Sequence, residues 1–242
     1  MRRYPDRGLH GRAVEDLGRR IISGELAEDA SIDLDELSER YDSSRGVVRE
    51  ALRVLGAKGM VDARPKRGTF VTPRSSWSLI DADVLRWQFD TLPRADILER
   101  LAELRLITEP GAAALAARRR TDADLAELDA ALAELEITHE GDEERAAAVA
   151  GDIRFHTAIL RATHNELVEQ LSVVIEIGLG ARDELVYRTP ADYHRGVVRH
   201  QAVVHAIRAG DAAAAQAAML ALAEDAAEDA RRAIASQLPA RD

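Results

Sequence analysis

The sequence of 242 residues contains no cysteine. The chain can therefore form neither a disulfide nor a thiolate metal site. It also lacks the run of about 18 apolar residues that a membrane-spanning helix needs, and no apolar signal segment follows its basic start. These absences predict a soluble, cytoplasmic protein with no membrane partner.

Proline is sparse in the second part of the chain, with four after residue 76. Long Ala- and Leu-rich stretches there carry apolar residues at spacings of three and four, which predicts helix throughout. Before residue 75 the periodic segments are short and broken by glycine and proline. Pro73 and the serines that follow it are typical of a linker. We therefore predict one domain at 1–75, a linker at 76–80 and a helical domain at 81–242.

The net charge of −10 is unevenly distributed along the chain. Residues 1–75 hold 15 basic and 13 acidic side chains, whereas residues 76–242 hold 18 and 30. Between Arg40 and Arg74, nine basic residues accompany three acidic ones. Phosphate binding depends on such a local patch rather than on the total charge. Taken alone, the patch is explained equally well by a solvated basic surface.

The first domain is predicted to hold three helices and a β-hairpin. Gly24 and Gly59 are helix-ending residues, and Ser44 offers N-cap chemistry to the third helix. The predicted elements are helices at Arg12–Ser23, Leu34–Tyr41 and Arg45–Lys58 and strands at Val61–Arg64 and Thr69–Val71. This combination predicts a winged helix-turn-helix.

The second domain is predicted to be an antiparallel bundle of about seven helices, so the whole chain is mainly α. The predicted helices are Ala82–Phe89, Ala95–Arg118, Asp122–Thr138, Glu143–Ala162, Glu166–Tyr187, Asp192–Ala209 and Ala212–Ser236.

The third helix has the features of a DNA-recognition helix. Arg45 and Arg49 lie four residues apart, so they share a face, and the arginine fork suits guanine O6 and N7. Arg53 extends the row towards phosphate, and Ser44 places a hydroxyl and N–H groups where a phosphate can bind. An ordinary solvated helix face explains any single arginine equally well, but the set as a whole favours DNA.

The turn of the hairpin adds two cations and a bare backbone. Lys66 and Arg67 precede Gly68, and this arrangement suits the minor groove or the sugar-phosphate backbone. Together with the recognition helix, the turn predicts contact with double-stranded DNA.

Three motifs within Leu34–Val71 carry a family resemblance: SRxxVREAL from Ser44, then KGMV and RGTFV. This stretch resembles the winged helix of the GntR family of bacterial repressors. The resemblance implies that Arg45 and Arg49 read bases and that the wing, with Thr69, grips the adjacent groove. Asp35 stands where many relatives carry arginine, which implies a different operator preference.

The remainder resembles the helical FCD-type ligand-binding domain of the FadR-like branch. The matching stretches lie within Leu98–Ala117, Asp152–His156 (DIRFH) and Arg199–Asp211 (RHQAVVHAIRAGD). The resemblance implies a homodimeric repressor on a palindromic operator, with an affinity that a small effector changes.

Asp152 and His156 are four residues apart and share a helical face. With His200 from a later helix they can bind a divalent cation of the Zn, Ni or Mn type. The resemblance implies a third histidine on the last helix, but that position holds Leu222, so we expect weaker affinity. The alternative is a set of buried polar residues bonded to one another and to a water.

Arg105 lies on a helix that relatives use to line the ligand pocket, and its geometry fits an effector carboxylate. An internal salt bridge to Asp152 or Glu109 is equally compatible with the sequence. The segment Trp77–Trp87 resembles an opening found in galactonate-type regulators of sugar-acid catabolism. This likeness suggests an aldonate or similar hydroxy acid as effector.

Three other functions compete with a sugar-acid repressor: a regulator from the same family with a non-sugar effector, a metal-dependent enzyme, and a DNA-coating protein. The enzyme would rest on Asp152, His156 and His200, but no nucleophile or general base accompanies them. The acidic second domain argues against a coating protein. We therefore predict a DNA-binding regulator that is not an enzyme.

Overall fold

The computed structural model describes residues 8–136, 142–186 and 190–236. The chain divides into two compact units, Met1–Pro93 and Arg94–Asp242. In the first unit lie α1 (Gly8–Ile22), β1 (Ser31–Ile32), α2 (Leu34–Arg40), α3 (Arg45–Ala57), β2 (Val61–Arg64), β3 (Gly68–Val71), a short 3-10 helix (Arg74–Ser76) and α4 (Ala82–Thr91). In the second lie α5 (Arg94–Arg119), α6 (Asp122–Leu135), α7 (Asp142–Ala162), α8 (Glu166–Glu169), α9 (Ser172–Val186), α10 (Pro190–Ala209) and α11 (Ala212–Ala235).

The mainly α class is confirmed, with a helix-turn-helix and a wing in the first unit and a helical bundle in the second. The wing is a three-stranded antiparallel sheet of order β1-β3-β2. In its register Ala63 opposes Thr69, and Ser31 opposes Phe70. Strand β1 was not predicted, because two residues are too short to show the alternation that identifies a strand.

Helix α3 is defined at both ends by local chemistry. The Ser44 hydroxyl accepts from the N–H of Val47 and caps the first turn. At the other end the Met60 N–H donates to Leu55 O and the Gly59 N–H to Gly56 O. This Schellman pattern requires a left-handed residue, and Gly59 has φ +74°. The buried face of α3 consists of Val48, Ala51, Leu52 and Leu55, so the opposite face is left to solvent.

Helix α4 belongs to the first unit, and the division between units falls after Pro93 rather than at the predicted linker 76–80. The Trp87 ring packs so closely on α1 that a Cβ at Gly18 would lie 2.5 Å from it. Trp87 Nε1 also donates to Glu15 at 2.7 Å. The Pro- and Ser-rich composition favoured a linker, but the burial of two tryptophans ties this segment to the first unit.

In the second unit a single core joins the helices, built from alanines of α5 and large residues such as Phe155, Ile159, Leu179 and Ile207. The predicted helix Glu166–Tyr187 is broken into α8 and α9. No glycine or proline stands between them, so the sequence gives no sign of the break. The predicted helix ends at Thr138 and Tyr187 lie outside the described residues. None of the described helices is long and apolar enough to cross a membrane.

Candidate nucleic-acid interface and ligand cavity

The exposed side of α3 carries Ser44, Arg45, Arg49 and Arg53, as the sequence predicted. Two of these arginines have acidic partners. Arg45 pairs with Asp35 of α2 through both Nε and Nη2, and Arg53 lies 2.9 Å from Glu50. Arg49 has no ion pair or hydrogen bond among the described residues.

The two cations at the tip of the wing, Lys66 and Arg67, differ in their contacts. Lys66 at the tip has φ +66°, and Gly68 follows with φ +76°. The Arg67 guanidinium lies 3.6 Å from the centroid of the Phe70 ring and donates to Asp29 at 2.6 Å. Arg67 is therefore held against the sheet, whereas Lys66 projects from the turn.

A groove of about 580 Å³ separates α3 from the wing. Arg49 and Arg53 line one side of it and Thr69 the other. The helix and the hairpin therefore face the same space, although they are formed by separate stretches of sequence.

In the second unit, Asp152 and His156 of α7 meet His200 of α10, as the sequence analysis suggested. All three are buried, and one ligand atom from each lies within 4.8 Å of the others. His200 Nε2 is 2.9 Å from Asp152 Oδ1, and His156 Nε2 is 3.8 Å from the same oxygen. When His200 is neutral with its proton on Nδ1, the described residues give neither Asp152 oxygen a hydrogen-bond donor.

The hydrogen-bond partners of His156 and His200 outside the cluster determine which ring nitrogen carries the proton. His200 Nδ1 lies 2.7 Å from the carbonyl of Gly196, and a carbonyl only accepts, so Nδ1 carries the proton. Nε2 of His156 lies 3.1 Å from Nη2 of Arg105, which only donates, so Nε2 is unprotonated. In neutral rings both Nε2 atoms therefore carry lone pairs. That of His200 faces Asp152, and that of His156 accepts from Arg105.

Buried charges surround this cluster. Burial would raise the pKa of Asp152, but positive charge on a protonated His156, a hydrogen bond from a protonated His200 and the charge of Arg182 hold that pKa well below its ordinary value. Burial lowers the pKa of His156, which favours the neutral ring. Glu109 is also buried, yet Arg105 and then His156 lower its pKa to about 2. The site therefore keeps two buried carboxylates ionised.

Arg105 forms the internal salt bridge that the sequence allowed, to Glu109 rather than to Asp152. Its Nε lies 2.8 Å from Glu109 Oε1. Arg105 also lines a cavity of about 320 Å³ together with Asp152, His156 and His200. Leu222 lines the same cavity and supplies no ligand atom.

Further cavity-lining residues were not predicted, among them Arg182 of α9 and a polar stripe on α11. The stripe consists of Asp225, Asp229 and Arg232, which follow Leu222 at spacings of three and four. This spacing places the three side chains on one helical face, so the stripe could have been predicted from the sequence. Arg182 gave no comparable signal in the sequence.

Comparisons with known proteins match both units. Residues 9–71 match the family described as bacterial regulatory proteins, gntR family, and residues 100–235 match the FCD domain. The galactonate operon transcriptional repressor of Escherichia coli K12 is 34% identical over 211 residues, covering 86% of this chain and 91% of the repressor. LutR of Bacillus subtilis 168 is 32% identical over 212 residues, covering 83% and 91%.

A solved structure has the same fold at low identity. It is that of Lar, described as controlling the expression of the Listeria monocytogenes agr system. It superposes with a TM-score of 0.65 at 18% identity and covers 92% of this chain and 96% of its own.

Proposed function

This chain belongs to the gntR family of bacterial regulatory proteins and is a DNA-binding transcription regulator, not an enzyme; we propose that it is a cytoplasmic homodimeric repressor of a palindromic operator, released by a small hydroxy acid. The observation that carries the DNA part is the solvent-facing row of Arg45, Arg49 and Arg53 on α3. Two copies of this helix, one from each protomer, would enter the major groove at two half-sites.

Within each half-site, Arg45 and Arg49 would read base edges and Arg53 a phosphate. The capped first turn at Ser44 would hold a second phosphate. The wing residues Lys66, Arg67, Gly68 and Thr69 would contact the adjacent groove. Lys66 needs no rearrangement to do so, whereas Arg67 would first leave Asp29.

In the second unit, the cavity beside Arg105 is proposed to bind the effector. A cavity of about 320 Å³ suits a compact small molecule. Its arginines suit a carboxylate, and its acidic side chains on α11 would accept hydrogen bonds from hydroxyl groups. A hydroxy acid satisfies both sets of partners, and the 34% identity to a galactonate operon repressor favours a sugar acid.

Asp152, His156 and His200 are proposed to hold a divalent cation. One oxygen and two nitrogens suit Zn, Ni or Mn. When His200 is neutral, the buried Asp152 oxygens also lack a donor among the described residues. The Gly196 carbonyl would fix His200 as a ligand. Leu222 has no donor atom, so the site lacks a fourth protein ligand. Water or the effector would complete the coordination shell of the cation. When bound, such an ion supplies positive charge that attracts an anionic effector.

Arg105 would be the link between cation and effector. Its Nη2 now contacts the Nε2 lone pair of His156. A cation needs that lone pair, so loading it would release one donor of Arg105 towards the cavity.

The DNA part is tested with Arg49→Ala. The probes are a duplex that the wild-type protein selects from a randomised pool and a random duplex of equal length. Loss of one base contact in each half-site should weaken binding to the selected duplex by about 1–3 kcal/mol per half-site and leave the random duplex nearly unaffected. Equal weakening on both would show that Arg49 contacts only phosphate.

The effector part is tested by elemental analysis beside a thermal-shift screen of sugar acids, with and without added Zn and Ni. We expect bound metal and an acid that raises the melting temperature. Arg105→Lys keeps the charge beside Glu109 but loses the fork, so DNA binding should persist while release by that acid is lost. Arg118→Lys, at an exposed position of α5, is the control. Normal release in Arg105→Lys would exclude Arg105 from effector binding.

A further inference from the structure

An acidic residue stands inside the cationic surface of the helix-turn-helix. Asp35, in the first turn of α2, pairs with Arg45, the first residue of α3. One carboxylate oxygen contacts Nε, and the other accepts from Nη2 at 2.6 Å. The guanidinium is therefore held side-on by two parallel bonds.

This pairing leaves a specific set of donors on Arg45. A guanidinium has five N–H groups, and side-on pairing occupies one on Nε and one on Nη2. The end-on edge, formed by Nη1 and the outer hydrogen of Nη2, keeps two parallel donors. Those are the donors that match O6 and N7 of guanine.

The pair is poorly placed to stabilise the fold. The Arg45 and Asp35 side chains are 62% and 58% exposed, and ion pairs so exposed contribute little. Its remaining effect is to restrict the rotamers of a long side chain at the N-terminus of α3. Without it, the guanidinium could swing to the nearest phosphate, a contact that carries no sequence information.

We propose that Asp35 is a specificity-determining residue that orients Arg45 for end-on reading of a guanine and keeps it from the phosphates. The proposal rests on the proposed base contact of Arg45. Asp35 would then have opposite effects on DNA of random sequence and on the preferred operator sequence. Its negative charge weakens binding to any duplex, while its hold on Arg45 sharpens the preference for one.

Asp35→Asn tests this, since it removes the charge at nearly constant shape. The probes are the selected duplex and the random duplex, compared at the same salt concentration. We expect the random duplex to bind about two- to threefold more tightly, because one repulsive charge per protomer is gone. The ratio of the two dissociation constants should fall about tenfold or more, because one base contact is weakened in each half-site. A repeated selection should lose its guanine preference at one position per half-site.

Glu50→Gln is the matched control. Glu50 is 54% exposed and pairs with Arg53 on the same helix, so the variant removes the same charge from the same surface. It should tighten both duplexes by the same factor and leave their ratio unchanged. If Asp35→Asn behaves in this way too, Asp35 acts only through its charge and the proposal is wrong.

A double-mutant cycle separates this proposal from the one it rests on. In an Arg45→Ala background, Asp35→Asn should change the ratio by less than about twofold, because the residue it acts through is gone. An undiminished effect would contradict an action through Arg45. If Arg45→Ala itself leaves the ratio unchanged, the proposed base contact fails, and the role of Asp35 fails with it.

Discussion

Leu222 is a single apolar side chain in a cavity otherwise rich in charge. It is 4% exposed and lines the space into which Asp152, His156 and His200 project. A histidine here would place an imidazole beside two others. With leucine at this position, the proposed cation site would have three protein ligands, and its affinity for a cation would be lower.

Leu222→His should therefore raise the affinity for Zn²⁺ about tenfold or more, because a fourth protein ligand closes the tetrahedral shell. Competition with a chromophoric chelator measures this directly. Leu222→Ile, which keeps the volume and adds no donor, is the control. Equal Zn²⁺ affinity in Leu222→His and the wild type would mean that position 222 cannot reach the cluster.

At the scale of elements, the end of α3 fixes where the wing begins. Gly59 has φ +74°, and a Cβ there would lie 2.1 Å from the carbonyl oxygen of Ser76. Gly24, after α1, has φ +80° but no atom within 4 Å of such a Cβ. Substitution by alanine would therefore strain the backbone at both glycines. Only at Gly59 would the new Cβ also clash with Ser76.

Gly59→Ala should cost at least about 3 kcal/mol in the free energy of unfolding, and Gly24→Ala about 1–2 kcal/mol, the left-handed penalty alone. Urea unfolding followed by tryptophan fluorescence checks this, because both tryptophans, Trp77 and Trp87, lie in the first unit. Similar losses in the two variants would contradict the close approach of Ser76.

At the scale of the whole molecule, most cations of the proposed DNA-binding surface are paired with acidic side chains. Arg45, Arg53 and Arg67 are each paired with a nearby carboxylate, while Arg49 and Lys66 have no such partner among the residues described. Residues 76–242 also carry twelve more acidic than basic side chains. Nonspecific electrostatic attraction between this surface and DNA phosphates is therefore modest.

Binding to a random duplex should accordingly be weak and lost at moderate salt. With about four phosphates neutralised per dimer, affinity should fall on the order of a hundredfold between 50 and 200 mM salt. The selected duplex should remain bound at 200 mM because base contacts persist. Fluorescence anisotropy across a salt series measures both, and a random-duplex complex that survives 200 mM would favour the DNA-coating function.

The sequence by itself determined the parts that depend on neighbours along the chain. These include the cap at Ser44, the helix end at Gly59, the shared face of Arg45 and Arg49, and the pairing of Asp152 with His156 one turn apart. In each case the interaction spans only a few residues, so spacing and residue type are enough to predict it.

Only the tertiary structure decided which distant groups meet. It brought His200 to Asp152, placed Arg105 in contact with His156, and placed Asp35 against Arg45. It also joined α4 to the first unit through Trp87. Each of these contacts depends on how separate helices pack. Residue spacing constrains a side chain within its own helix, but packing of the core decides what lies opposite it.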